Sequence, residues 1–220
     1  MPEENVLERW RAAVSGRETQ LERTREWYGN LFSLMADLRS PGGCPWDVEQ
    51  SLASLRQYIR EEADEVCKAI DDILDYENEL RANAGLAADN PNPPAEEKAR
   101  TDKKGHSIAH HPHHPDFDAV ASASGAPLPK QIMEEQREKL DALYAELVEE
   151  IGDLALQSVF LSDILHGMKR PGLDSSLEQI VTKLIRRHPH VYGDTQAADS
   201  AEVLSNWQRI KDQEKKQTEP

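Results

Sequence analysis

Apolar residues recur along the chain at helical rather than strand spacing. Residues Asn5 to Met35 are rich in helix formers, with Leu7, Trp10, Val14 and Leu21 loosely on one face. The run Ser40-Pro41-Gly42-Gly43-Cys44-Pro45 predicts a loop, because two prolines and two glycines oppose regular structure. Asp47 or Ser51 can then cap a helix reaching about Glu79, whose stripe is Leu52, Leu55, Ile59, Val66, Ile70 and Ile73. A second long helix is expected from about Met133 to His166, with Leu140, Leu143, Leu147, Ile151, Leu154 and Leu161 on one stripe. Pro171-Gly172 breaks it. Further helices are expected at about Leu173 to Arg187, ended by His188-Pro189, and at about Ala201 to Lys216. No segment alternates with period two between turn signals, so the expected fold is all-α, a bundle of four or five helices.

Between the two long helices the pattern lapses. Over residues 80–132, Asn-Pro and Pro-Pro steps, alanines, serines and a histidine group replace apolar periodicity. Such a segment has too little apolar surface to offset ordering entropy, so it is read as a long disordered insertion. Its histidines (His106, His110, His111, His113 and His114) invite a transition-metal reading, but in a proline-broken segment they are expected to titrate in solvent. The organisation is thus an N-terminal helical extension over 1–30, a domain over 31–216 interrupted by 80–132, and a tail at 217–220.

Charge narrows the function. The formal net charge of −15 opposes general nucleic-acid binding, which needs a basic face. It leaves room for a small phosphorylated ligand held through cations. Cys44 and Cys67 have no zinc-site or disulfide spacing and are read as small buried residues in a reducing compartment. The N-terminus lacks the apolar stretch of a signal peptide, and no window approaches the roughly 18 apolar residues of a membrane span. A cytoplasmic protein without membrane contact is expected.

The acidic residues carry the first chemical suggestion. With steps of ~100° per residue, Glu62 and Glu65 fall at about −60° and about −120° from the first stripe, and Glu150 and Asp153 at the same angles from Leu147. If the two helices pack, four carboxylates meet at the edge of the core. They could not all stay ionised there without a counter-charge, and Mg²⁺, or Mn²⁺, suits oxygen donors. Against this stands a solvated acidic face. With 41 acidic residues such triplets arise by chance, and Asp71-Asp72-x-x-Asp75 and Glu134-Glu135-x-x-Glu138 have the same form.

Other blocks add specificity. Gly42-Gly43-Cys44-Pro45-Trp46-Asp47, followed by Leu55-x-x-Tyr58-x-x-Glu61-Glu62-Ala63-Asp64-Glu65-Val66, resembles the start of a MazG domain. Glu149-Glu150-Ile151-Gly152-Asp153-Leu154 resembles its second metal helix. Lys183 to Asp194 resembles the next block, and Asn206-Trp207-x-x-Ile210-Lys211 the closing one, in the family's order. The resemblance implies an all-α nucleoside triphosphate pyrophosphohydrolase, usually a homodimer, that converts an NTP or dNTP to monophosphate and pyrophosphate. It implies Glu62, Glu65, Glu150 and Asp153 as ligands of Mg²⁺ (Mn²⁺ also serving), with Glu61 an accessory carboxylate. Lys183 and Arg187, with Arg186 as a weaker match, would hold the triphosphate. Trp207 and Lys211 would line the nucleotide site. The alternatives are a narrower pyrophosphatase, dUTPase-like or phosphoribosyl-ATP-like, and a catalytically silent helical interaction module. The family usually joins its metal helices by a short connection, so the 80–132 insertion is this chain's main departure.

Three residues keep two readings at this point. Trp46 plugs the core or lines the base pocket. Asp47 caps a helix or touches ligand. His188 and His190, at a helix end, are expected to pack or cap.

Overall fold

The computed structural model describes residues 4–86, 128–129 and 132–218. Among them all regular structure is helical: α1 (Glu4–Ala13), α2 (Glu18–Leu38), α3 (Pro45–Glu49), α4 (Leu52–Asn83), α5 (Glu134–Gly167), α6 (Leu173–Arg187), α7 (Pro189–Tyr192) and α8 (Ser200–Thr218). The all-α expectation holds. The helices number eight among the described residues, beyond the four or five expected, because short α3 and α7 escape periodicity analysis and the N-terminal stretch splits. Gly16, at φ +83°, turns the chain between α1 and α2. Most of the 80–132 insertion, with its five histidines, lies outside the described residues. Helix α4 runs past the expected Glu79 to Asn83.

The chain divides into two compact units, Met1–Arg56 with Leu156–Pro220 and Gln57–Ala155, and both α4 and α5 continue through the division. In the unit 57–155, Ala69, Ile73, Tyr76 and Leu80 are buried on α4 and Leu140 on α5. Steps of four, three and four residues make this a coiled-coil-like seam. Leu128, Leu143 and Tyr144 pack against Tyr76, Leu80 and Leu140. Tyr76 Oη donates to the Gln136 carbonyl (3.4 Å), while nearer the other end Lys68 lies 4.0 Å from Glu146. Numbers rise along α4 as they fall along α5, so the two helices are antiparallel here.

A buried polar cluster crosses this seam. Glu77 is fully buried, accepting from Arg81 Nη2 (3.3 Å) and Tyr144 Oη (3.0 Å), and Arg81 Nη1 also reaches Asn78 Oδ1 (3.2 Å). Shifting α5 by one turn would part Tyr144 from a buried carboxylate, so the cluster opposes register slip.

The stripe expected on α4 is displaced. Leu55 and Ile73 are buried as expected, but Leu52 and Ile70 are exposed, and on α5 Ile151 and Leu154 are exposed too. The buried row follows Ala69 instead of Ile70. A small residue lets the neighbouring backbone approach, which apolar spacing alone does not register. The cysteines also differ from expectation: Cys44 is half-buried and Cys67 exposed. Cys67 lies off the seam, two residues before Ala69.

In the other unit, Val6, Met35, Leu55, Val159, Phe160 and Ile164 are buried. The loop after α2 has both glycines for stated reasons. Gly42 sits at φ +95°, and a Cβ on Gly43 would overlap the carbonyl oxygens of Asp37 and Leu38. Cys44 N–H then donates to the Leu38 carbonyl (2.8 Å). Arg39 ties the loop down. Its Nε donates to Asp163 Oδ2 (2.6 Å), Nη1 to the carbonyls of Asp47 and Gln50, and its guanidinium lies 5.1 Å from the Phe160 ring centroid. Ser51 caps α4: Ser54 N–H donates to its hydroxyl (3.3 Å) and Leu55 N–H to its carbonyl (3.0 Å). Of the two expected caps, Ser51 serves, and Asp47 lies inside α3. Ser162 Oγ accepts from Leu173 N–H (2.8 Å) at the start of α6. Helix α1 reaches α7 through Trp10 Nε1, which donates to Tyr192 Oη (3.2 Å), and through Arg9, which donates to the Val191 carbonyl.

Candidate active site

Extending the α4 seam back from Ala69 by four and seven residues reaches Glu65 and Glu62. Extending the α5 seam forward from Leu140 through Leu143 and Leu147 reaches Glu150. Glu62 and Glu150 thus fall at spacings that continue the two seams, while Glu65 is exposed beside half-buried Val66. Glu62, Glu65 and Glu150 each offer an oxygen within 4.8 Å of the others, with Glu62 and Glu150 half-buried and Glu65 exposed. Asp153 is exposed and outside this group of three, and Glu61 is likewise exposed.

Electrostatics follow from this crowding. Burial first, then the charges of Glu65, Asp153, Glu149 and Glu62, push the Glu150 carboxyl above its ordinary range. Asp153 is thus close enough to be felt at Glu150. One turn away, Lys68 Nζ lies 2.7 Å from Asp72 Oδ2 and is held above its ordinary value mainly by that hydrogen bond. A hard divalent cation fits the donor set. Octahedral ligands at about 2.1 Å stand roughly 3 to 4.2 Å apart, so a 4.8 Å span closes with small side-chain rotations.

The basic and aromatic candidates group in the other unit. Helix α6 carries Lys183, half-buried, with exposed Arg186 and mostly buried Arg187, and α8 carries half-buried Trp207 and Lys211. The Arg187 guanidinium lies 5.2 Å from the Trp207 ring centroid and the Lys211 ammonium 4.9 Å from it. Glu214 takes both arginines: Arg187 Nη2 and Nε donate to Oε2 (2.6 and 3.1 Å), and Arg186 Nε to Oε1 (2.6 Å). These hydrogen bonds hold the Glu214 carboxyl down at about 2. Sequence reasoning missed Glu214, which sits in a Lys/Glu-rich tail where nothing sets it apart. It also missed Arg39 and Asp163, whose pairing across 124 positions has no local signature.

Trp46, on α3, is 51% exposed, which removes its reading as a core plug. Arg39 anchors this short helix through the carbonyls of Asp47 and Gln50. His188 behaves as expected of a cap, its Nδ1 lying 2.6 Å from the Leu184 carbonyl at the end of α6. His190 is half-buried, with its ring 5.6 Å from that of His188.

Residues 125–192 match the family model of the MazG nucleotide pyrophosphohydrolase domain. That span takes in Glu150, Asp153, Lys183 and Arg187 and leaves Glu62 and Glu65 outside. Three relatives align over far more of the chain. A nucleoside triphosphate pyrophosphohydrolase of Escherichia coli is 29% identical over 188 residues, 85% of this chain and 45% of its own length. A nucleoside triphosphate pyrophosphohydrolase/pyrophosphatase MazG of Thermotoga maritima is 27% identical over 86% of this chain and 45% of its own. The uncharacterized protein YabN of Bacillus subtilis is 26% identical over 87% of this chain and 25% of its own. The chain thus spans a quarter to just under half the length of these relatives. No solved structure matches.

Proposed function

We propose that this chain, whose residues 125–192 match the MazG family model, is a metal-dependent nucleoside triphosphate pyrophosphohydrolase acting on NTPs or dNTPs. The observation that carries this reading is the convergence of Glu62, Glu65 and Glu150 from two helices. The names of the E. coli and T. maritima relatives support the same activity.

In this reading Glu62, Glu65 and Glu150 hold Mg²⁺ or Mn²⁺, with Asp153 turning in to complete the set. The cation, when bound, supplies Lewis-acid charge at the phosphates and lowers the pKa of water. Water oxygen bonds to the α-phosphorus as the bond to the α–β bridging oxygen breaks. Monophosphate and pyrophosphate leave, and a proton passes to a nearby base, for which Glu61 is the candidate. Lys183 and Arg187, with Arg186, offset charge on the departing pyrophosphate. Trp207 and Lys211 line the nucleotide, and exposed Trp46 offers a further ring to the base.

The role proposed is nucleotide-pool housekeeping in the cytoplasm, as a homodimer without nucleic-acid partners. Exposed apolar residues on α6, namely Leu177, Ile180, Val181 and Leu184, favour an assembly over a monomer. Among the described residues no helix is long and apolar enough to cross a membrane. Purified protein incubated with Mg²⁺ and each NTP and dNTP in turn tests the activity. Monophosphate plus pyrophosphate is the expected product pair, whereas diphosphate plus orthophosphate would contradict the assignment. The same panel separates a broad enzyme from one confined to a single nucleotide.

A further inference from the structure

The pairing of Glu214 with Arg186 and Arg187 has a role that follows from its geometry. Arg187 meets Glu214 through Nε and Nη2, one edge of the guanidinium, so Nη1 takes no part in that pair. Its guanidinium carbon lies 5.2 Å from the ring centroid of Trp207, which is seven residues before Glu214 on the same helix. Lys211, between them, lies over the same ring. One carboxylate on α8 therefore fixes the orientation of the guanidinium, its stacking on the tryptophan and the docking of α8 on α6. A long arginine left loose would pay side-chain entropy each time it met a phosphate, and the ion pair removes that cost beforehand.

We propose that Glu214 is a positioning residue for triphosphate binding, holding Arg187 against Trp207 so that its outer edge meets the phosphates. The proposal rests on the assignment of Arg187 to the triphosphate. Two other roles compete with it. Glu214 could act as a stand-in anion that phosphate must displace, or as a staple between helices with no bearing on substrate.

Calorimetric titration of the protein with inorganic tripolyphosphate separates them, joined to KM and kcat for the best nucleotide substrate. The variants are Glu214→Gln, which keeps shape and loses charge, and Glu214→Asp, which keeps charge. Losing a charge-assisted bond that orients a binding group should weaken tripolyphosphate about tenfold or more in Glu214→Gln and raise KM alike. Because Arg187 is also assigned to the charge on the departing pyrophosphate, kcat should fall together with the affinity in Glu214→Gln. Glu214→Asp should recover most of the affinity, and it carries the comparison if Glu214→Gln does not fold. Unchanged affinity in a folded Glu214→Gln would reduce the residue to a staple. Tighter binding would make it a displaced anion, and no tripolyphosphate binding by the wild type would end the proposal too. A wild type that binds tripolyphosphate but releases no pyrophosphate would instead sink the enzymatic reading alone.

Discussion

Glu65 on α4 and Glu150 on α5 bring carboxylate oxygens within 4.8 Å of each other, and Glu62 joins them from one turn earlier on α4. In a helix pair a row of this kind ordinarily holds apolar residues. Three acids there weaken the pair unless something neutralises them.

Glu150→Gln should therefore raise the thermal midpoint of chelator-treated protein at neutral pH while cutting turnover by more than about a hundredfold. The pH dependence has a definite sign. Glu150 is raised in the folded state by burial and by Glu65, Asp153, Glu149 and Glu62, so its ionised form is a liability above that raised value. The liability fades as pH falls towards the ordinary carboxylate range, where both folded and unfolded chains hold the proton. Melting curves between neutral pH and pH 4 should show the gap between variant and wild type closing. Added Mg²⁺ should stabilise wild type and leave the variant nearly unmoved. An equal response in both would remove Glu150 from the ligand set.

Glu62→Gln should abolish turnover while the circular dichroism stays helical. Asp153→Asn should do the same only if Asp153 turns in when metal binds. Exposed and outside the close group, it is the better probe of how far the acids rearrange. Retained activity of both variants at saturating Mg²⁺ would take the two residues out of the metal role.

Glu214 gives an opposite pH signature. The Arg187 and Arg186 hydrogen bonds hold its carboxyl at about 2, so its contribution is fully present above the ordinary value near 4.5. The contribution disappears as pH falls from there through about 2. Acid unfolding of wild type and Glu214→Gln should converge over that interval, and parallel curves would contradict the ion pair.

Arg39 anchors the short helix that carries Trp46 through one carboxylate, two carbonyls and the face of Phe160. Arg39→Ala should cost about 2–3 kcal/mol in urea unfolding, the scale of charge-assisted bonds lost from a partly buried site. Arg39→Lys keeps the charge but cannot reach all these partners, and should recover less than half.

Within the unit 57–155, Arg81→Ala should be the costliest single change, about 3–5 kcal/mol, because it takes the Arg81 counter-charge from the buried Glu77 carboxylate. Tyr144→Phe should cost only about 1 kcal/mol. Replacing Glu77 and Arg81 together by Leu and Met should be milder than Arg81→Ala, a comparison that equilibrium denaturation can settle.

Helix positions were legible wherever periodicity was long and punctuated. The spans of α5, α6 and α8 agree with expectation to within one or two residues, since Pro171-Gly172 and Pro189 end helices by local geometry. The two acidic motifs were legible for the same reason: i, i+3 spacing places Glu62 with Glu65 on one helix face without reference to anything else. Less legible was which face each helix turns inward. The wheel chose Ile70 and Ile151, whereas Ala69 and Glu150 lie in the packed row, because burial depends on the partner's shape as well as on side-chain apolarity.

The chain's order of residues, by itself, determined that this protein would be helical, acidic and equipped with paired carboxylates, because those properties reside in neighbours no more than a turn or two apart. Only tertiary structure decided that Glu62 and Glu65 face Glu150 and leave Asp153 aside, that Arg39 finds Asp163, and that Glu214 takes both arginines. Each of those pairings depends on the register and rotation of one helix against another, which arises from packing summed over many side chains and is written at no single position.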